Sequence, residues 1–540
     1  MKPQFVLKAL AGAVALAAAG NVAAVDLNTV PFNEASTKQV TIRLSGATAH
    51  DAGLLLLLRN TTSGAQICKP NTLDVYQTAS KNNTLYYCEG GLNSGFASGN
   101  TLASKRYIAI LKESDGGSGV GVAPIVRPGP TYNVVDNTTV TRDWIDPTNA
   151  TVTGTAGSPV AVSGAFSAYT QHLGILDTVT TTTGNADAGI SDVEPARFAA
   201  IYNPALTAAE LNALTINGIS GVIFATPVTK AVYERLQAVQ FPVDNVCNPN
   251  NASYDGLATT TTVASSEACM PSLSRDVIGA IFTGQITKWS QIKSAHTPGV
   301  NVNTVTISYA GKEAAALASD DIFIQRRVAT SGTQRSNEVY FSSAGCIAGA
   351  PAFLSKTDLR VTENSGTSNV VSGLNADNTA DKGSIGTLTA ERPPNNTAGY
   401  RNIKINGSSA SLLNVVKGSY DFFFESTIQW RRIAVGGMTA ITLVKRNVLT
   451  SIVNQLGKPD VVATLDKGFV DVYGRTGLIG NAVANKTSIA TTPYKADGSN
   501  PADTDDVYNR PVATSTRGLT GSPNACRVPV KVNADVQVGS

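Results

Sequence analysis

The sequence predicts an α/β protein, and three local patterns carry that reading. The run QVTIRL (39–44) alternates apolar and polar residues as a strand does and ends in the small-residue turn Ser45-Gly46-Ala47-Thr48. The leucine quintet at 54–58 then reads as the body of a buried helix. The apolar run GISGVIFAT (218–226) lacks helix caps and reads as a buried strand. KAVYERLQAVQ (230–240) follows it with apolar residues at 232, 236 and 239, the spacing of one helix face. A short strand at 322–324 leads to Ser331-Gly332-Thr333-Gln334, where Ser331 and Gln334 match a capping box that opens a helix. Strand, small-residue turn and helix in succession is the unit of an α/β layer. The chain is 540 residues long, enough for roughly three to four average domains or for two large lobes with insertions.

Composition narrows the class. Hydrophobic residues make up 42% of the chain, so cores are available and wholesale disorder is excluded. Charged residues are only 15%, while Thr, Asn, Gly, Ala and Ser abound, which suits an exported protein. Residues 1–24 read as a signal peptide: Lys2 and Lys8 are followed by an apolar run at 9–19 and a small-residue cleavage site, Val22-Ala23-Ala24. No later segment reaches ~18 apolar residues, so a membrane-spanning chain is not expected. No cysteine stands at the cleavage site to carry a lipid anchor, and the expected location is the periplasm or the exterior. Losing Lys2 and Lys8 lowers the net charge from +3 to +1. Such a chain has no global field for nucleic acid or anionic lipid, so an anion must be held by local geometry.

The six cysteines, Cys68, Cys88, Cys247, Cys269, Cys346 and Cys526, all lie beyond the signal. An even number in an exported chain points to three disulfides. Cys68–Cys88 and Cys247–Cys269 suit local loops and leave Cys346–Cys526 as a long clasp, although sequence leaves the connectivity open. There is no CxxC, and His50, His172 and His296 stand apart from the cysteines and from each other, so neither a metal nor a cofactor is expected.

Further elements follow in order. YIAIL (107–111) reads as a strand, DAGISD (187–192) as the end of another, and residues 275–282 as a short helix with Gly284 at its C-terminal glycine position. About 60–105 reads as a disulfide-pinned excursion, about 123–185 as a Thr/Pro/Asn/Gly-rich insertion, and the chain after 490 as a polar, loose tail.

The chemistry concentrates at strand-to-helix turns. A helix beginning at Ser331 offers unpaired N–H groups and the positive end of its dipole, a ready anion site. Ser331 and Thr333 add hydroxyls, Gly332 admits close approach, and Arg327 adds a forked cation. The turns at 45–48 and at Gly116-Gly117-Ser118-Gly119 repeat the arrangement, the latter able to form a nest of N–H groups. Each alone is an ordinary turn. Asp192 reads most simply as a turn or N-cap residue, yet a carboxylate among anion-attracting loops has a use. It accepts a hydrogen bond from a protonated oxyanion such as hydrogen phosphate and repels sulfate, which carries no proton.

IFTGQITKW (281–289), the RxxxSGT run at 327–333 and the DxGxSD run at 187–192 together resemble the phosphate-binding proteins of bacterial phosphate ABC importers, which are type II periplasmic binding proteins. The order of SGAT, GGS, GISD, the strand at 218–226 and RxxxSGT also matches, over roughly 40–430. The resemblance implies two α/β lobes joined by crossover strands near 218–228 and 383–392, with a ligand cleft between them. Lobe one would comprise 25–225 and 390–540, carrying the insertions and the tail, and lobe two 226–389. It implies that Thr48 and the Ala49 N–H meet the anion, that Asp192 accepts its proton, that Arg327 is the charged donor, and that Ser331, Gly332 and Thr333 supply the helix N-terminus. Ser118 fits the family's second serine. The chain departs from the pattern at Ala49, where an aromatic is common, and at Ala329, where an acid would pair Arg327. In IFTGQITKW itself, Phe282, Ile286 and Trp289 read as packing residues.

No HExxH, GxSxG or P-loop pattern occurs, and Ser290-Gln-Ile-Lys293 is an SxxK match of chance quality, so an enzyme is not expected. The functional expectation is an exported, monomeric solute-binding protein for inorganic phosphate that serves an ABC permease. Two alternatives stand beside it: a surface protein that keeps the scaffold for adhesion or matrix contact, and a binder of another oxyanion such as arsenate.

Overall fold

The computed structural model describes residues 31–540 except 62–65, 79–81, 93, 96–105, 136–138, 143, 146, 148–169, 174–184, 310–311, 314–316, 459–461, 463–476, 481–514, 518–522 and 532–540. Residues 1–24, read above as a signal peptide, lie outside the described residues.

The first strand, β1 (Gln39–Gly46), is buried along nearly its whole length, with Arg43 alone half-exposed. Its alternating pattern therefore does not mark a solvent face, because both sides are covered. Helix α1 (Asp51–Arg59) follows the small-residue turn and buries Leu54, Leu56, Leu57 and Leu58. The stretch read as an excursion instead supplies β2 (Asp74–Gln77) and β3 (Asn83–Glu89), which pair antiparallel, and β3 pairs with β4 (Tyr107–Glu113). The sheet is thereby widened by two strands, and the Cys68–Cys88 bridge ties the approach to β2 back onto β3. From the insertion, β5 (Thr170–Leu173) pairs with β2, and Arg142 lies buried beneath the Tyr132 hydroxyl at 3.2 Å.

Strand β6 (Ala188–Ser191) runs parallel to β1 and carries the chain to Asp192. The next strand, β7 (Leu214–Thr229), is 16 residues long and belongs to both lobes. Helix α2 (Lys230–Gln240) and helix α3 (Arg275–Phe282) then form over the residues their periodicity predicts. Ser274 caps α3 by accepting from the Val277 N–H, and Gly284 follows in the left-handed conformation at φ 78°. Strand β8 (Phe323–Arg327), helix α4 (Gly332–Ser342), strand β9 (Val361–Asn364), helix α5 (Thr367–Thr379), and the short strands β10 (Ser384–Gly386) and β11 (Leu388–Thr389) build the second lobe.

Strand β12 (Tyr400–Ile405) pairs with residues 226–229 of β7 and with 272–273. The chain returns in β13 (Phe423–Arg431), which lies antiparallel between β6 and β7. Helix α6 (Leu443–Leu456) packs across α1, β1 and β7.

The principal sheet thus runs β9-β8-β10-β7-β13-β6-β1-β4-β3-β2-β5. The N-terminal part of β7 pairs with β13 and its C-terminal part with β10, β11 and β12. The protein is a two-lobed α/β fold with β7 passing from one lobe to the other.

All three disulfides form: Cys68–Cys88, Cys247–Cys269 and Cys346–Cys526. Phe282 and Trp289 are buried and Ile286 is partly buried against the same core. The Trp289 Nε1–H donates to the Gly383 carbonyl at 3.0 Å. The described parts of the C-terminal tail are anchored. Arg517 is buried, and its guanidinium donates to the carbonyls of Phe423 (2.6 Å) and Asp421 (2.8 Å). No helix among the described residues is long and apolar enough to cross a membrane.

Candidate functional site

The two lobes meet where the strand-to-helix turns converge. On one side, Gly117–Gly121 forms a short 3-10 turn after β4, with Gly116 and Gly117 at positive φ. On the other stands the start of α4. The Gly119 N–H donates to the Thr330 carbonyl at 2.7 Å, a direct backbone bond between the lobes. Gly332 lies so close to Ser118 and Asp192 that an added Cβ would overlap the Ser118 Oγ and the Asp192 Oδ2. Ser118, Asp192 and Gly332, far apart in sequence, therefore occupy one spot, and the Asp192 N–H donates to the Ser118 Oγ at 3.1 Å.

Asp192 follows the end of β6 and is only 3% exposed. It does not cap the next helix; Glu194 takes the N-cap position of the 3-10 turn at Pro195–Ile201. Burial pushes the Asp192 carboxyl up to about 6, while the Ser118 hydroxyl and the charges of Arg327 and Lys112 pull it down. Its Oδ1 is buried without a hydrogen-bond partner.

Arg327 is the last residue of β8 and is 4% exposed. In place of an acid, it donates from Nη1 to the Thr367 hydroxyl and from Nη2 to the Ser365 carbonyl, each at 2.9 Å. Neutral partners position the guanidinium without cancelling its charge, and its Nε is buried and unpartnered. Burial lowers its pKa to about 10, with the Asp192 carboxylate acting in opposition.

Helix α4 starts where the sequence predicts, but the capping box does not form. Ser331 is the N-cap residue and makes no side-chain cap bond. The Gln334 amide instead donates along the helix to Glu338 Oε1 at 2.9 Å, which withdraws it from the N-cap backbone. The first turn of α4 and the Ser331 hydroxyl are thus left uncapped beside Asp192, with Thr333 buried in the same turn. The α1 end is similar. Thr48 is half-buried and Ala49 is buried at the turn before α1, whose N-cap residue, His50, makes no side-chain cap bond.

No family model matches this chain, and no curated protein does. Solved structures do match. A phosphate-binding protein from Stenotrophomonas maltophilia is 16% identical over 51% of this chain and 70% of its own, with a TM-score of 0.29. An ABC-type phosphate transport receptor from Vibrio cholerae is 16% identical over 46% and 68%, with a TM-score of 0.25. A possible phosphate binding protein from Planctomyces limnophilus is 9% identical over 77% and 98%, with a TM-score of 0.28. At these scores the likenesses carry no argument.

Three residues that the sequence patterns did not assign to the site stand around it. His50 is fully buried, with its Nδ1 3.9 Å from Asp192 Oδ1 and its Nε2 3.3 Å from the Ser220 hydroxyl. Lys112, 2% exposed, donates to the Gly46 carbonyl (2.9 Å) and the Ser114 hydroxyl (2.7 Å) and lies 3.2 Å from Asp51 Oδ1. Glu391 is pushed up to about 8, chiefly by burial and further by the charges of Asp51 and Asp192. The signal for His50 was its place next to Thr48 and Ala49 at a helix N-terminus. No local pattern marks Lys112 or Glu391. Among the described residues no His/Cys/Asp/Glu group suits a metal ion.

Chemically, the arrangement offers a cation, uncapped helix N-termini and hydroxyls on one side and a buried acceptor on the other. That combination favours an oxyanion which still carries a proton.

Proposed function

We propose that the protein captures inorganic phosphate, as hydrogen phosphate, between its two lobes and delivers it to an ABC permease. One observation carries this reading. Arg327 of the second lobe and Asp192 of the first are both buried and each keeps an unpartnered polar atom, Nε and Oδ1, and Asp192 packs against Gly332 at the uncapped start of α4. A buried cation and a buried acceptor left unsatisfied cost free energy that a matching ligand recovers.

In this reading Arg327 and the N–H groups of Gly332 and Thr333 hold the anionic oxygens. The hydroxyls of Thr48, Ser118, Ser331 and Thr333 and the Ala49 N–H complete the donor set. Asp192 accepts the proton of the anion, so sulfate is rejected. Each lobe contributes part of the set, and the ligand therefore favours the closed state by contacts the open state lacks. The closed form is what a permease would recognise. The first lobe comprises the chain up to about 223 and from 423 onward, and the second comprises 226–421, with β12 assigned to the latter. The protein is exported by its N-terminal signal, acts as a monomer and performs no chemistry on its ligand.

The test is calorimetric titration of the phosphate-stripped protein with phosphate and with sulfate, repeated on Arg327→Ala and Asp192→Asn. Phosphate is expected to bind and sulfate not. Arg327→Ala is expected to lose about 2–5 kcal/mol of binding free energy, as for truncation of a buried charged contact. Asp192→Asn, which gains a donor, is expected to admit sulfate. A folded protein that gives no heat with phosphate sinks the proposal.

A further inference from the structure

Two buried polar atoms face each other at the site without touching. His50 Nδ1 and Asp192 Oδ1 are 3.9 Å apart, too far for a hydrogen bond, and neither has any other hydrogen-bond partner. The residues are 0% and 3% exposed, so solvent does not satisfy them. An oxygen placed about 2.8 Å from both atoms would see them at an angle of roughly 90°, within the range of a bent hydroxyl.

The tautomer of His50 is coupled to its other neighbour. The Ser220 hydroxyl, itself buried, stands 3.3 Å from Nε2. If that hydroxyl donates to Nε2, the ring proton resides on Nδ1, facing Asp192. The surroundings keep the ring neutral: burial, and secondarily the Lys112 ammonium, lower its pKa to about 3. Arg327, Lys112, Asp51 and Glu391 are the other charged groups that act on these two residues, and Lys112 is committed to Gly46, Ser114 and Asp51.

We propose that His50 is a ligand-recognising residue whose Nδ1–H, together with Asp192 Oδ1, grips the single hydroxyl of a monoprotonated oxyanion. The hydroxyl oxygen accepts from His50 and its proton goes to Asp192. Only a group that both accepts and donates satisfies the two atoms at once. A bare anionic oxygen meets repulsion from Asp192, and a second N–H donor meets His50. This rests on the phosphate reading above and deepens it: discrimination comes from a two-residue reader of one P–OH, with Ser220 fixing its polarity.

The test uses the full-length mature protein stripped of phosphate, with inorganic phosphate as the probe. His50→Phe keeps an aromatic ring without the donor and is expected to weaken phosphate binding about tenfold or more. His50→Asn places an amide N–H near the Nδ1 position and is expected to stay within about threefold of the parent. In the parent protein labelled with 15N-histidine, adding phosphate is expected to bring out a slowly exchanging Nδ1–H resonance. That signal decides the matter even if the Phe variant does not fold, since its absence overturns the inference. Phosphate binding undiminished in His50→Phe overturns the inference alone, as does a folded His50→Asn as weak as His50→Phe. A parent protein that binds no phosphate overturns both this inference and the reading beneath it.

Discussion

Gly332 meets Asp192 across the interlobe contact with no room for a side chain. A Cβ on Gly332 would lie 2.7 Å from the Asp192 Cβ and would overlap the Asp192 Oδ2 and the Ser118 Oγ. This contact depends on the missing methyl group. Gly332→Ala should hold the lobes apart, lower phosphate affinity about 100-fold or more, and raise the radius of gyration in X-ray scattering with phosphate present. An alanine variant with parental affinity and parental dimensions would remove this account of closure.

The acidity of Asp192 sets a pH dependence whose sign is fixed. Its folded pKa, about 6, lies above the ordinary 3.8. The contribution of this group to stability is therefore complete below about pH 4 and is lost as pH rises through 6. The shift corresponds to about 3 kcal/mol. His50 has the opposite sign, because its folded value of about 3 lies below the ordinary 6.5, so its contribution is present above pH 6.5 and lost on acidification. Urea unfolding of Asp192→Asn beside the parent cancels the His50 contribution. The variant is expected to gain on the phosphate-free parent as pH rises from 4 to 7, and a constant difference would contradict the burial argument.

Trp289 anchors the second lobe through one close approach. Its ring is fully buried, its Nε1–H donates to the Gly383 carbonyl, and a Cβ on Gly383 would stand 2.6 Å from its Cδ1. Gly383→Ala should therefore destabilise by about 1–3 kcal/mol. Denaturant unfolding followed by tryptophan fluorescence measures it, and an unchanged midpoint would contradict the packing role given to this segment.

The Cys346–Cys526 bridge closes a span of 180 residues. Replacing both cysteines by serine should cost up to about 5 kcal/mol in the chain-entropy limit. Neither cysteine stands at the proposed anion site, so phosphate affinity at a temperature where the variant is folded should match the parent. Loss of binding in a folded variant would show that the clasp also shapes the cleft.

The sequence made legible what local periodicity encodes. α2 and α3 occupy the predicted residues, and the strands at 107–111 and 218–226 are present in longer form because pairing extends each beyond its apolar centre. β2 and β3 were missed because β2 is only four residues long and the polar turns around it mask the alternation. The capping box at Ser331 failed for a reason the pattern does not contain: Gln334 has a better partner one turn along, in Glu338. At the site, the residues from the strand-to-helix turns were readable as separate anion-attracting pieces. His50 was not, because its environment is assembled from Ser220, 170 residues away, and from Asp192. A polar residue acquires its meaning from neighbours that only the fold supplies.

The placement of β13 has a consequence for how the chain comes to be made. This strand fills the slot between β6 and β7, yet about 200 residues separate it from them, and the second lobe lies in that interval. During vectorial synthesis, the facing edges of β6 and β7 emerge early and stay unzipped until residue 431 arrives. Such late, long-range closure slows maturation and leaves open edges for other chains to invade. The nascent chain is therefore most exposed to misassembly in the interval between the two lobes, when escort by a holding chaperone would matter most.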